Sequence, residues 1–323
     1  MKRLKSIFST LLRISISIVL LVLLFKFNKI DAQALIGDIK SANKLFLAIG
    51  LGAFFFNYVL GFLRWRMLIK ASGIKIPLGR LISSFSGGIF FSIFLPSTIG
   101  GDLVRSVDLA GHTKKAKEVI ATVFLDRLSG YIGLVLVVIP AIFLGRNFLA
   151  DKVVYSSVFV IVVLLVIILL VLFNNYVYCA ISRFLTTPNS GKIREIIKDV
   201  HQEIHILGSH KRIIILNLAI SFLLQVLSPL CVYFIGLALG IKISFIYFLI
   251  FLPIIGAITL LPIAIGGLGL REGLFVVYFA KAGVIKQLAL AMSLLSFSFV
   301  VFYAAIGGII YVLTVRHRRL QSD

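Results

Sequence analysis

The feature that most constrains this chain is a series of long apolar runs with few charged residues inside them. A helix needs about 20 consecutive apolar residues to cross a bilayer core. The backbone in such a run must satisfy its own hydrogen bonds, which favours helices. The runs that reach or approach this length are 7–27, 45–63, 119–144, 153–173, 213–239 and 288–315. The sequence therefore predicts an all-α polytopic membrane protein, with residues 1–323 forming a single transmembrane domain.

Two shorter apolar runs each end in the same motif, a proline followed by a glycine pair and an arginine. Proline lacks an amide hydrogen and a glycine pair weakens a helix, so both motifs predict a helix break. Matched breaks in the two halves of a membrane protein indicate a transport site. The alternative is that each glycine pair only allows close helix packing. The motif residues are Pro96, Gly100, Gly101 and Arg105, and Pro262, Gly266, Gly267 and Arg271.

The distribution of basic residues predicts the topology. If both broken segments are re-entrant hairpins, 21 of the 33 Lys and Arg residues lie on one side of the membrane, together with both termini. Cytoplasmic loops are enriched in Lys and Arg, so this side is cytoplasmic. We thus expect six full spans and two hairpins, although hydropathy alone also permits seven or eight spans. The halves 1–150 and 151–323 then have opposite orientations, as in an inverted repeat.

Three further segments have distinct patterns. Residues 189–207 alternate apolar and charged positions at helical spacing, which predicts an amphipathic helix on the membrane surface. The run 7–27 is long for a signal peptide, and Lys26 separates it from a possible cleavage site, so we expect a retained helix. Trp65, which lies between two arginines, suits the membrane–water boundary.

The strongly basic composition indicates contact with anionic membrane lipids rather than nucleic acid. The net charge is +21, but the basic residues flank apolar spans and no basic-aromatic groove is evident. The two cysteines, Cys179 and Cys231, are far apart and predict no disulfide or metal site. No catalytic constellation or nucleotide-binding loop is visible, so we expect no enzyme activity, no metal and no cofactor.

Charged residues near the breaks are the candidate substrate site. Buried charges in membrane proteins usually face a cavity, and arginine can bind a phosphate with two parallel donors. Arg105 and Arg271 occupy equivalent motif positions, which predicts that they bind one anionic group from opposite sides. The alternative is that the arginines snorkel or pair structurally with nearby acids. The predicted substrate-binding set is Pro96, Gly100, Gly101, Asp102, Arg105, Asp126, Arg127, Pro262, Gly266, Gly267, Arg271 and Glu272.

Three of these patterns together resemble the transmembrane region of lysylphosphatidylglycerol synthase and the related flippase-like membrane proteins. They are the first motif with Asp102, the pair Asp126-Arg127, and the second motif with Glu272. The resemblance implies lipid translocation, because two-domain members move an aminoacylated phospholipid to the outer leaflet. We expect a stand-alone member without the soluble aminoacyl-transferring domain.

Two functions remain open from the sequence. The first is a flippase-like transporter in the cell (plasma) membrane that moves a polar phospholipid or lipid-linked headgroup through a cavity between the breaks. The second is an integral membrane transferase or accessory factor that acts on polyprenyl-phosphate-linked sugars. The expected partners are anionic lipids and a separate lipid-modifying synthetase or glycosyltransferase.

Overall fold

All regular structure in the described part of the chain is helical. The computed structural model describes residues 15, 17, 19–20, 22–28, 30–95, 98–113, 115–145, 151–173, 211–259 and 267–322. A helical stretch at 22–27 precedes ten helices with the following bounds. They are α1 Ala32–Ser41, α2 Lys44–Ala71, α3 Leu78–Ser92, α4 Thr98–Thr113, α5 Ala116–Gly145, α6 Lys152–Phe173, α7 Lys211–Ala238, α8 Phe245–Ile258, α9 Leu270–Lys281 and α10 Lys286–Ser322.

Five of the described helices, α2, α5, α6, α7 and α10, are long and apolar enough to cross a membrane. They correspond to five of the six predicted spans, and most of the predicted first span lies outside the described residues. The outer surface is apolar, as contact with lipid tails requires; for example, the Phe159 side chain on α6 is 69% exposed. The amphipathic helix predicted at 189–207 also lies outside the described residues.

Polar caps define several helix starts. Asn43 accepts a hydrogen bond from the Leu45 amide at 2.9 Å and begins α2. Ser244 accepts from the Ile246 amide at 3.4 Å and begins α8. A capping side chain satisfies one of the amide donors that the first turn of a helix leaves without a partner. The short polar loops of the sequence thus fix where the long apolar helices begin.

Side-chain and backbone contacts define one end of the bundle, which we call the Asp151 end. Asp151 forms an ion pair with Lys281, Gln287 donates to Asp38 at 2.5 Å, and the Asn43 amide donates to the Ala238 carbonyl at 2.9 Å. The hydrogen bond from Lys281 lowers the pKa of the half-exposed Asp151. These contacts bring together the ends of α1, α7 and α9 and the starts of α2, α6 and α10.

The opposite end, which we call the Lys75 end, contains the loop 72–77, residues 113 and 115, and residues 313–314 of α10. Residues from all three segments line one cavity there. Helices α2 and α10 therefore run from the Asp151 end to the Lys75 end, and α5 runs in the opposite direction. Gly145, near the end of α5, lies against Ile246 at the start of α8.

Helices α3 and α4 form an antiparallel pair that opens toward the Lys75 end. Arg80, in the first turn of α3, forms a 2.7 Å ion pair with Asp108 near the end of α4. Further along, the Ser84 hydroxyl donates to the Arg105 carbonyl at 3.1 Å. The two helices are therefore connected at their other ends, away from the Lys75 end.

Helices α8 and α9 form a second antiparallel pair, which opens toward the Asp151 end. The rings of Phe251 and Phe279 pack edge to face with centroids 5.4 Å apart, and Phe248 packs on Phe279 at 5.0 Å. These aromatic side chains belong to the largest apolar core of the protein. The two antiparallel pairs therefore open toward opposite ends of the bundle.

A helix break does occur at the first motif, but the glycine pair lies outside it, contrary to the sequence-based expectation. Gly100 and Gly101 lie in the first turn of α4, and the break falls one turn earlier, after Ser92. A Cβ atom on Gly101 would overlap the Gly88 carbonyl oxygen and lie 2.9 Å from Ser92 Cβ. Gly101 therefore serves close packing of α3 against α4, which was the alternative interpretation.

The second motif is irregular where it is described. Gly267 and Gly269 have φ angles of 74° and 82°, which side-chain-bearing residues rarely adopt. Helix α9 begins directly afterwards, at Leu270. The two motifs therefore share a sequence pattern but not a backbone conformation. Pro96, Pro262 and Gly266 lie outside the described residues.

Candidate functional site

The inner ends of α3, α4 and α8 line one cavity of about 550 Å³. Ser92 at the end of α3 and Thr259 just after α8 both contribute to its wall. Helices α2, α5 and α7 complete the enclosure. The charged residues of the lining are Arg64, Asp102, Arg105, Asp126 and Arg127. Four of these five side chains were predicted from the sequence, and so was the lining residue Gly101.

Asp126 on α5 is the centre of this charged cluster. Its two carboxylate oxygens accept hydrogen bonds from different arginines, from Arg64 Nε at 2.7 Å and from Arg105 Nη2 at 2.9 Å. The Asp126 and Arg105 residues are each only 5% exposed. Because a buried charge is stable only when it is paired, these contacts hold α2, α4 and α5 together at one level.

Asp102 on α4 extends the cluster toward the cavity. It accepts from Arg105 Nη2 at 2.9 Å and forms an ion pair with Arg127 on α5. The Arg127 side chain is 33% exposed, the most accessible of the three arginines. Three arginines and two aspartates give the cluster one positive charge in excess.

Aromatic side chains hold the Arg105 guanidinium in place. Its central carbon lies 4.7 Å from the centre of the Trp65 ring and 5.9 Å from that of Phe85. Trp65 is fully buried, so its ring packs inside the protein, and its predicted position at the membrane–water boundary stays a prediction. Arg105 Nε is buried and has no hydrogen-bond acceptor among the described residues.

Arg64 is the member of the cluster that sequence reasoning missed. It lies in the last third of α2, 62 residues before Asp126, and was assigned to the membrane boundary with Trp65. Its Nη1 donates to the Ser221 hydroxyl on α7 at 3.1 Å. A Cβ atom on Gly130 would lie 3.4 Å from the same nitrogen. The absent side chain at Gly130 therefore gives the guanidinium room beside α5.

Two helix-interior prolines add polar backbone groups to the cavity region. Pro229 on α7 and Pro253 on α8 both line the cavity. Because proline has no amide hydrogen, each leaves the carbonyl four residues earlier without its helical donor. Those carbonyls belong to Gln225 and Leu249. Neutral side chains such as Ser92, Gln225 and Ser228 also line the wall and offer further hydrogen-bonding groups.

Arg271 and Glu272 form a separate, tightly paired unit. Glu272 is 0% exposed and accepts hydrogen bonds from the Gly269 amide at 2.6 Å and from Arg271. The Arg271 guanidinium also lies 4.2 Å from the centre of the Phe297 ring. Neither residue is among those that line the 550 Å³ cavity. The expectation that Arg105 and Arg271 bind one anion stays a prediction, and these contacts favour a structural role for Glu272.

Comparison with known proteins gives the family. The profile described as "Lysylphosphatidylglycerol synthase TM region" matches residues 10–307. A "UPF0104 membrane protein" from Methanothermobacter thermautotrophicus is 25% identical over 276 residues, which cover 78% of this chain and 80% of the relative. Another from Pyrococcus horikoshii is 25% identical over 309 residues, covering 86% of this chain and 89% of the relative. No solved structure matches the chain. The protein is thus a multi-pass integral membrane protein that belongs to the lysylphosphatidylglycerol synthase transmembrane-region family.

Proposed function

We propose that this protein is a flippase-like transporter that moves the polar headgroup of a phospholipid across the bilayer through the 550 Å³ cavity. The observation that carries the proposal is the buried cluster of three arginines and two aspartates in the cavity wall. Such a cluster is costly at membrane depth, which favours a role in binding over a role in stability.

The charge of the cluster suits a phosphate. One positive charge remains after Asp102 and Asp126 are paired, and a phosphodiester carries one negative charge. Arg127, the most exposed arginine, would contact the phosphate first. Arg105 is more deeply buried, and both arginines pair with Asp102. The neutral side chains and the carbonyls freed by Pro229 and Pro253 would replace water around the rest of the headgroup.

The arrangement of the two antiparallel pairs suits alternating access. We infer that α3–α4 and α8–α9 are re-entrant hairpins related as halves of an inverted repeat, because they open toward opposite ends and the inner ends of α3, α4 and α8 line one cavity. Movement of one hairpin against the other would open the cavity to one side at a time. Six full spans would complete this architecture.

The Lys75 end is the cytoplasmic end in this proposal. It carries the larger share of Lys and Arg, and both termini would lie on this side. Anionic lipids of the inner leaflet of the plasma membrane would be attracted to it. The protein would act with a separate lipid-modifying enzyme and would itself catalyse no covalent chemistry.

Reconstitution into vesicles tests the proposal. The purified protein is inserted into vesicles that contain fluorescent phospholipids with different headgroups, and an impermeant quencher reports which leaflet each lipid occupies. We expect the protein to accelerate translocation of at least one headgroup class, and Arg105→Ala to abolish the acceleration. Equal rates in protein-containing and protein-free vesicles, for every headgroup, would contradict it.

A further inference from the structure

A second cavity, of about 1000 Å³, lies at the Lys75 end of the bundle. Its wall combines basic side chains with apolar ones from three separate segments. The loop after α2 contributes Ile74 and Lys75, the α4–α5 connection contributes Lys115, and α10 contributes Leu313. This cavity shares no lining residue with the 550 Å³ cavity described above.

Arg80 is the buried cation of this cavity. It is only 7% exposed, and its Nη2 is held by Asp108 at 2.7 Å and by contact with His112. Its other two nitrogens, Nε and Nη1, are buried and have no acceptor among the described residues. Buried arginine donors are costly when they lack an acceptor, and an anion or ordered water beside them would remove that cost.

The surroundings of Arg80 favour an anion. Lys75 and Lys115 lie at the same cavity wall, and Asp108, which pairs with Arg80, is not part of that wall. The first turn of α3 also borders the cavity through Pro77 and Gly79, and no side chain caps this helix start. A helix N-terminus attracts negative charge, and phosphate groups bind there readily.

We propose that this cavity binds a phosphate group, with Arg80 as the buried anchor and Lys75 and Lys115 as the outer contacts. The apolar side chains of Ile74, Ile76 and Leu313 in the wall would accommodate the acyl part of an anionic lipid. The same cations would also bind a free phosphate. The site is separate from the proposed transport pathway, so it does not depend on the transport proposal.

Binding can be followed through Trp65, the only tryptophan of the protein. Trp65 belongs to the same apolar cluster as the cavity residue Ile74. The full-length protein in detergent micelles is titrated with inorganic phosphate in one arm and with short-chain phosphatidic acid in the other. We expect a saturable change in fluorescence. Saturation by the lipid alone assigns the site to a lipid headgroup, and saturation by both probes assigns it to phosphate in general.

Three kinds of variant make the test specific. Arg80→Gln removes the anchor, and the accompanying Asp108→Asn avoids leaving an unpaired buried carboxylate. This double variant should weaken binding about tenfold or more. Lys75→Gln with Lys115→Gln changes only exposed positions, leaves the fold intact, and should weaken binding severalfold. The control Lys70→Gln, on the same surface, should bind as the wild type does. The absence of saturation with both probes, or equal binding in all variants, would overturn the proposal and leave water as the partner of Arg80.

Discussion

Asp126 accepts hydrogen bonds from Arg64 and Arg105 through separate carboxylate oxygens, at 2.7 and 2.9 Å. One buried acid thus joins a guanidinium from α2 to one from α4. We predict that Asp126→Asn lowers the free energy of unfolding by about 3–5 kcal/mol, because it leaves two buried arginines with too little negative charge. Adding Arg64→Gln should recover part of this loss. Unfolding in mixed micelles measures the free energy of unfolding of the single and double variants. If the losses from Asp126→Asn and Arg64→Gln simply add in the double variant, the two side chains are not coupled.

Arg64 and Arg66 provide a matched pair for testing transport. Both flank Trp65 on α2, but only Arg64 lines the cavity. Arg64→Gln should therefore slow lipid translocation in vesicles by about tenfold or more, since it removes one charged hydrogen-bond donor from the cluster. Arg66→Gln should leave the rate close to that of the wild type. Equal rates in the two variants would remove Arg64 from the site.

Gly101 and Gly111 provide a second matched pair, on α4. A side chain at Gly101 would meet Gly88 and Ser92, whereas one at Gly111 would meet nothing within 4 Å. Gly101→Ala should destabilise the protein by roughly 1–3 kcal/mol. Gly111→Ala should be neutral or slightly stabilising, because alanine favours the helix by up to about 1 kcal/mol. Thermal unfolding compares them, and a stable Gly101→Ala variant would contradict the close packing of α3 on α4.

Glu272 is predicted to stabilise the start of α9 rather than to carry a proton. Its carboxylate accepts from the Gly269 amide and from Arg271. Glu272→Gln should therefore reduce stability by about 1–3 kcal/mol and leave the pH dependence of transport unchanged. The half-exposed Glu118 offers the control, since Glu118→Gln should have only a small effect. A shifted pH profile in a fully stable Glu272→Gln protein would assign Glu272 to proton coupling instead.

The spans were predictable because hydropathy is a local property of the sequence. The predicted runs 45–63 and 213–239 fall almost entirely within α2 and α7. The structure also places the loop that follows α2 at the same end of the bundle as the C-terminus of α4. The distribution of Lys and Arg had suggested the same grouping. The position of the first break was less predictable. Glycine weakens an isolated helix, but Gly101 lies inside α4 because it packs closely on α3, and this contact cannot be read from the local sequence.

The composition of the charged cluster was only partly predictable. Asp102, Arg105, Asp126 and Arg127 stood out as charges near apolar runs, and they do meet. Arg64 did not stand out, because its role depends on Asp126 and Ser221, which are 62 and 157 residues away in sequence. The sequence signal that could have identified Arg64 is an arginine inside the last turns of a predicted span. The opposite case is Arg271, whose motif position matches Arg105 although its neighbours Glu272 and Phe297 give it a different environment.

The most direct measurement of the central claim uses Ser92, which lies at the inner end of α3 and lines the cavity. In a background with Cys179 and Cys231 replaced, Ser92→Cys is treated with a bulky water-soluble thiol reagent in vesicles that report lipid translocation. The matched control is Ser41→Cys, which is exposed at the Asp151 end. We predict that modification of position 92 stops translocation, that the transported phospholipid slows this modification, and that modification of position 41 does neither. Full translocation after complete modification of position 92 would show that the headgroup does not pass through this cavity.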